Sequence, residues 1–512
     1  MMACCNSRKT LAMSALACLW GGTAMADVTA EAVWADWTTY MAASGYEMSA
    51  DQNRSGDDLM LSNITMSTVI PEEDVSIVVT MSDMTLTDNG NGTVSIIFPE
   101  TMPLNVQVDA PGEDPVNVAT TYTTADWSAL VAGDPGDLTY TYSASAIGLT
   151  IDEITVDQTT LPMSAIGKAE MNIADMAGSS RSKSGALYET AQKITTGAFS
   201  YVIDVTDPDT GEGRLVVQGG AEGLNTAAVA ALPEDGDMAD MAAMIEQGFA
   251  VDGAISITGG SIDLNFNEPG NIFQMKSQSA SSELGVTMNA DGLAYNLSAK
   301  GQDISLAGTD IPLPIEVAAE ESGFDIKIPI TARDDLQPFG LDVTLANFAV
   351  SDLIWSLIDP TSQLPRDPAT LTVGLVGTTK LLVDILDPAA MAALDSGAVQ
   401  PGELHSLEVT NLKVSAAGAE LLGEGSFTFD NSDLDTFGGM PAPTGKLDLS
   451  LAGGNGLLDK LVNMGLVPEE EAGGVRLMMG LFAVPGDGPD TLTSTIEVQG
   501  NGQVFANGQR IQ

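Results

Sequence analysis

The sequence predicts a mainly β protein (β-rich α+β), built from long antiparallel meanders that form curved sheets with a few short amphipathic helices. Three observations predict it. Apolar and polar residues alternate with period two over many short stretches. Turn signals such as Asn-Gly, Asp-Gly and Pro-Asp separate those stretches at hairpin spacing. Few segments between them show helical spacing, which argues for meanders rather than βαβ units.

The chain opens on a leader. Arg8 and Lys9 form a short basic region, Thr10 to Trp20 is an apolar run, and a small-residue tail ends Ala24-Met25-Ala26. That order is the layout of a secretory signal peptide, with cleavage expected after Ala26 and a periplasmic mature chain. A buried N-terminal helix would not need the order, and a lipid anchor at Cys18 would want leucine where Ala15 stands. All three cysteines (Cys4, Cys5, Cys18) fall in the leader, so the mature chain is expected to hold no thiol, disulfide or cysteine metal ligand. No later stretch reaches the roughly 18 uninterrupted apolar residues of a membrane helix.

The next element is a helix. From Thr29, the residues Val33, Trp34, Trp37, Tyr40 and Met41 recur at three- and four-residue spacing, Thr29 can cap the start and Gly45 can end it. Such a face docks on something large, as a lid or plug. The pattern then turns to period two. Strands are expected at Asp58 to Met66, Val75 to Met84 and Thr93 to Phe98, with Asn89-Gly90-Asn91-Gly92 as a hairpin turn. Further strands are expected at Leu138 to Ser143, Ile151 to Val156, Ser200 to Val205 with Arg214 to Gln218, Ala254 to Phe266, and Leu284 to Met288 with Leu293 to Ala299. Asp325 to Ile330, Leu341 to Leu345, Leu371 to Val376, Leu407 to Val414, Gly423 to Phe429 and Gly445 to Leu451 continue the series. Short helices are expected at Asp237 to Gln247 (Met238, Met241, Ile245), Ser351 to Ile358, Lys380 to Leu386 and Gly456 to Met464. The expected division is a leader (1–26), an N-terminal β-rich lobe (27–235) that begins with the tryptophan-bearing helix, and a C-terminal β-rich lobe (236–512). The boundary falls in the alanine-rich, acidic segment 222–248.

Several segments together are similar to the domain of unknown function 2125 family of exported proteobacterial proteins. They are Val33-Trp34-Ala35-Asp36-Trp37, Gln247 to Gly253, Ser351 to Pro360 with Leu364 to Leu371, and the tail from Gly445 to Gln509. The resemblance implies location and architecture; the family brings no assigned activity. The closing strand–helix–strand pattern also resembles, more distantly, AsmA-like envelope proteins whose sheets form long grooves for lipid. That likeness is one of fold and supplies no site.

Composition bounds the partners. Seventy acidic residues face 19 basic ones, a formal net charge of −51 that becomes two units more negative when Arg8 and Lys9 leave with the leader. Such a field repels nucleic acid and anionic headgroups. Charged residues are only 17% of the chain and hydrophobic ones 44%, so this is not a disordered acidic tail. An outer-membrane barrel is disfavoured, because aromatics are only 5% and the chain ends Arg510-Ile511-Gln512.

No catalytic, cofactor or metal constellation stands out, and the chain is expected not to be an enzyme. His405 is the one histidine and has no second His or Cys with which to share a metal. Ser180-Arg-Ser-Lys183 fits S-x-x-K, but in a serine-rich stretch, Gly178 to Gly185, that reads as a loop. Lys168, Arg181, Lys183 and Lys193 make a local basic patch, which pairs with acidic neighbours or contacts an anionic headgroup. Asp204, Asp207, Asp209 and Glu212 crowd one hairpin tip; calcium would need six to eight oxygens there, and turn chemistry alone explains the composition. The 24 methionines, four of them in the leader, suit either an irregular core or an apolar groove. Two functions fit: an envelope protein holding an apolar or lipid-like ligand in a β-groove, or an interaction module without ligand or catalysis.

Overall fold

The computed structural model describes residues 27–70, 74–208, 210–234, 236–237 and 240–511. The leader expected at 1–26 lies outside the described residues. The expected fold class holds: strands dominate, and all of their pairings are antiparallel.

The sheet begins at an edge strand, Glu47–Ser55, paired with Asp58–Ile70. It reaches the 20-residue strand Asp137–Val156 through strands that come in two halves, such as Val75–Met81 and Met84–Asp88, which lie end to end against Asp58–Ile70. From Ala250–Glu268 onward the chain is a meander, each long strand pairing with the next as far as Ala442–Ala452, which pairs with Thr491–Val498. In the segment 222–248, where the sequence places a lobe boundary, Gly223–Pro233 pairs with Leu187–Thr196 on one side and Ala250–Glu268 on the other.

A seam crosses this sheet. At one level nearly every strand is interrupted: by a left-handed residue (Asn63, Asp175, Gly259, Gly301, Asn347) or by the gap between two half-strands. The residues facing them drop out of the register, as Ala280 does between Gly259 and Gly301. One extra residue shifts the alternation by one. Apolar side chains therefore change parity there and stay on one face: Leu138, Tyr140, Tyr142, Ala144, then Ile147 and Leu149; Phe339, Leu341, Val343, Leu345, then Phe348 and Val350. Leu61 and Ile64, on either side of Asn63, share one buried cluster.

Helices lie against that apolar face. The first, α1 (Ala30–Ala43), starts where Thr29 accepts a hydrogen bond from the Ala32 N–H and ends ahead of Gly45, whose φ of 80° is left-handed. Its Val33 and Trp34 pack with Leu59, Leu61, Leu86, Val94, Val131 and Leu138. A second cluster joins Tyr188, Leu232, Phe249 and Ile330 to Met244 and Ile245 of the helix Met241–Glu246. The sequence extends that helix to 237–247, but Asp240 caps it by accepting from the Ala243 N–H; Met238 lies outside the described residues.

Other elements differ from expectation for physical reasons. Val75 to Met84 breaks at Ser82-Asp83 because the seam passes there. Lys380 to Leu386 is not a helix: Lys380 and Leu381 pair with Glu403 and Gly402, so the sheet overrides their spacing, and the helix starts later at Pro388–Asp395, capped by Asp387. The helix Glu469–Phe482 was hidden by Gly473, Gly474 and Gly480, which weaken the pattern.

Candidate functional site

The two faces of the central sheet differ in chemistry. On one, Ile255, Leu284, Leu297, Phe324, Val343, Val373 and Leu412 stand side by side, each the register partner of the next. A parallel row runs Val286, Tyr295, Ile326, Leu341, Leu375 and Val409. On the other, the rows are polar: Asp263, Lys276, Ser305 and Glu316, or Asn296, Asp325 and Asp342. This division follows from the period of a strand, since neighbours in sequence must face opposite ways.

The apolar face has two regimes. Under α1 it is a core, with Leu61, Leu86 and Val131 wholly buried. Beyond the helix it is uncovered: Leu297 is 52% exposed and Leu284, Tyr295 and Phe324 each about 41–42%. A hollow of about 460 Å³ opens near its rim, lined by Ile151, Ile203, Val205, Leu215 and Phe266 among others. A larger hollow, about 1020 Å³, is lined in good part by polar side chains, among them Asn172, Gln218, Asp263, Lys276, Gln278 and Glu316. The uncovered part of the apolar face is open to solvent.

The most unusual polar group is Asp36, buried on the docked side of α1. Its Oδ2 accepts hydrogen bonds from Tyr140 Oη (2.6 Å) and Ser182 Oγ (2.7 Å), and its Oδ1 from Tyr188 Oη (3.0 Å). The donors come from three neighbouring strands, Asp137–Val156, Gly167–Lys183 and Leu187–Thr196. Burial, reinforced by the Asp36 charge, holds both tyrosine hydroxyls far above their ordinary pKa, so they remain donors. Sequence reasoning passed over Asp36, although a lone acid between Trp34 and Trp37 on a docking helix was the available signal.

The residues singled out by sequence fall as follows. Ser180 and Lys183 lie in a strand, not the expected loop, and an offset of three puts them on opposite faces, so the S-x-x-K pairing does not form. The basic patch pairs with acids: Lys168 with Glu170, Arg181 with Asp137, and Lys183 with Glu189. At the acidic hairpin, Arg214 donates to both oxygens of Asp204 (2.8 and 2.7 Å) and holds that carboxyl below its usual range. Asp207 accepts from the Thr210 hydroxyl at 2.7 Å, and Asp209 lies outside the described residues. His405 Nε2 meets Glu403 Oε2 at 3.2 Å. Among the described residues no group of three or more His, Cys, Asp or Glu could hold a metal, and no helix is long and apolar enough to cross a membrane.

The fold thus defines a class: an open antiparallel sheet with one polar and one apolar face, the apolar one partly roofed by helices. Residues 260–511 match the model of a family described as an uncharacterized protein conserved in bacteria (DUF2125), and this half of the chain belongs to that family. The N-terminal segments that resemble it lie outside the matched residues. No curated protein and no solved structure matches the chain, so the AsmA-like likeness has no relative to rest on.

Proposed function

We propose that the protein, exported and trimmed after Ala26 into the periplasm, holds an apolar or lipid-like ligand on the uncovered part of its apolar face, in the service of the cell envelope. The observation that carries this reading is the contrast along one face: leucines wholly buried beneath α1 continue as leucines about half exposed beyond it. A contiguous apolar surface of more than a few hundred Å² marks a place where something else sits. The reading assigns no reaction. Purification of the mature protein from the periplasm, followed by mass spectrometry of extracted lipid, tests it: acyl lipid above the level of a control protein supports it, and none above control overturns it. An interaction module without ligand is the other outcome, recognised when crosslinking recovers a protein partner and extraction finds no lipid. The edge strand Glu47–Ser55 is poorly suited to such pairing, since Glu47, Asp51 and Arg54 charge it.

A further inference from the structure

The Asp36 cluster has the form of an anion cradle filled by the chain itself. Tyr140, Ser182 and Tyr188 send three hydroxyl groups from three strands to the two oxygens of one carboxylate, at 2.6, 2.7 and 3.0 Å. The donors belong to three neighbouring strands, so the register of the sheet sets the spacing of their backbones. The carboxylate belongs to the helix. Among the described residues no hydrogen bond or ion pair joins it to a cation; the nearby Arg181 and Lys183 pair instead with Asp137 and Glu189.

As a device for seating a helix this is costly. An apolar residue at 36 would pack against Val33 and Trp34 without burying a charge; an incoming carboxylate bears the same desolvation, which is offset only because Asp36 returns to water as it leaves. As a place for a carboxylate it is well made: both oxygens are served, by neutral donors, on an apolar face. The cradle also sits at the end of the ligand surface. Tyr142, one residue pair along from Tyr140, leads through Gly178, Ile194 and Thr226 to Ile255 and Leu284 of the uncovered row.

We propose that the hydroxyls of Tyr140, Ser182 and Tyr188 bind the carboxylate head of a single-chain amphiphile, a free fatty acid, whose tail lies along that row, and that Asp36 is the intramolecular stand-in which occupies the site until such a ligand displaces it. The inference rests on the proposed apolar ligand surface and names its ligand class. Ala30, Val33 and Ala43, all buried, keep both ends of α1 seated; the Asp36 side chain is what the ligand displaces.

Oleate, oleyl alcohol and acetate separate the two ideas, with binding measured by titration calorimetry on the full mature chain. Oleate binds about tenfold more tightly than oleyl alcohol, the scale of one lost hydrogen-bonded head, and acetate does not bind. In the double variant Tyr140→Phe/Tyr188→Phe the ratio of oleate to oleyl alcohol affinity falls to about one. Ser182→Ala, a smaller change, gives a partial loss of preference and carries the test if the double variant fails to fold. Equal binding of oleate and alcohol by the parent chain, or a preference that survives loss of the hydroxyls, overturns the cradle and leaves the surface standing. Binding of neither long-chain probe overturns both.

Discussion

Two leucines on one face, Leu61 and Leu297, make opposite predictions. Leu61 is wholly buried in the cluster under α1, whereas Leu297 is 52% exposed on the uncovered row. For Leu61→Ala the whole side-chain transfer term is lost and a cavity remains, so the cost is about 3 kcal/mol. For Leu297→Ala about half of the transfer term was never gained and no cavity forms, so the cost is about 1 kcal/mol or less. Ligand affinity reverses the order. Leu297→Ala removes contact surface from the proposed site and weakens a neutral long-chain probe, while Leu61→Ala leaves its affinity unchanged wherever the protein is folded. Denaturant unfolding at constant m-value gives the stabilities, and probe titration gives the affinities. Equal destabilisation by the two variants would refute the reasoning, for it would mean that the face around Leu297 is already covered.

Other consequences are open to simple assays. Trp34→Ala, which empties a nearly buried site between α1 and the sheet, destabilises by about 3–5 kcal/mol, read as a fall in denaturation midpoint. Millimolar calcium leaves the Tm unchanged, because the Asp204 carboxylate at the acidic hairpin is already held by Arg214; a calcium-dependent rise would restore that loop as a metal site. Asp359 is wholly buried; burial pushes its carboxyl up, but the N–H groups of Gln363 and Leu364 and the Thr361 hydroxyl outweigh it and hold it below the ordinary value. Its folded pKa being depressed, the stability it adds is present above about pH 4 and is lost as pH falls through the folded value. Asp359→Asn therefore flattens the acid limb of Tm against pH, and an unchanged limb contradicts the assignment.

Much of the fold was legible in the sequence, because alternation and turn chemistry act locally. Thr29 does cap the first helix, and Asn89 to Gly92 does turn a hairpin, with Gly90 and Gly92 at positive φ. The seam was not legible. A single left-handed residue such as Asn347 or Asp175 leaves no compositional trace, yet it reverses which parity is apolar, and only the aligned neighbours show that the reversal is collective. The roof of the face was half legible: Val33 and Trp34 were correctly placed inward, but Asp36 takes an inward position too and Tyr40 is 37% exposed. Spacing of apolar residues cannot reveal that a carboxylate will be buried, since its three donors lie more than a hundred residues away. The uncovered apolar rows could not be distinguished from ordinary core for the same reason: alternation states which face a residue shares, and not what lies above it.

The most direct test places the ligand on the sheet. A diazirine-bearing alkyl probe, photolysed with the mature protein and followed by peptide mapping, should label the apolar rows, at Leu284, Tyr295, Leu297 and Phe324. Label confined to the polar face, or spread without preference over the surface, would contradict the claim that the uncovered apolar face is where this protein works.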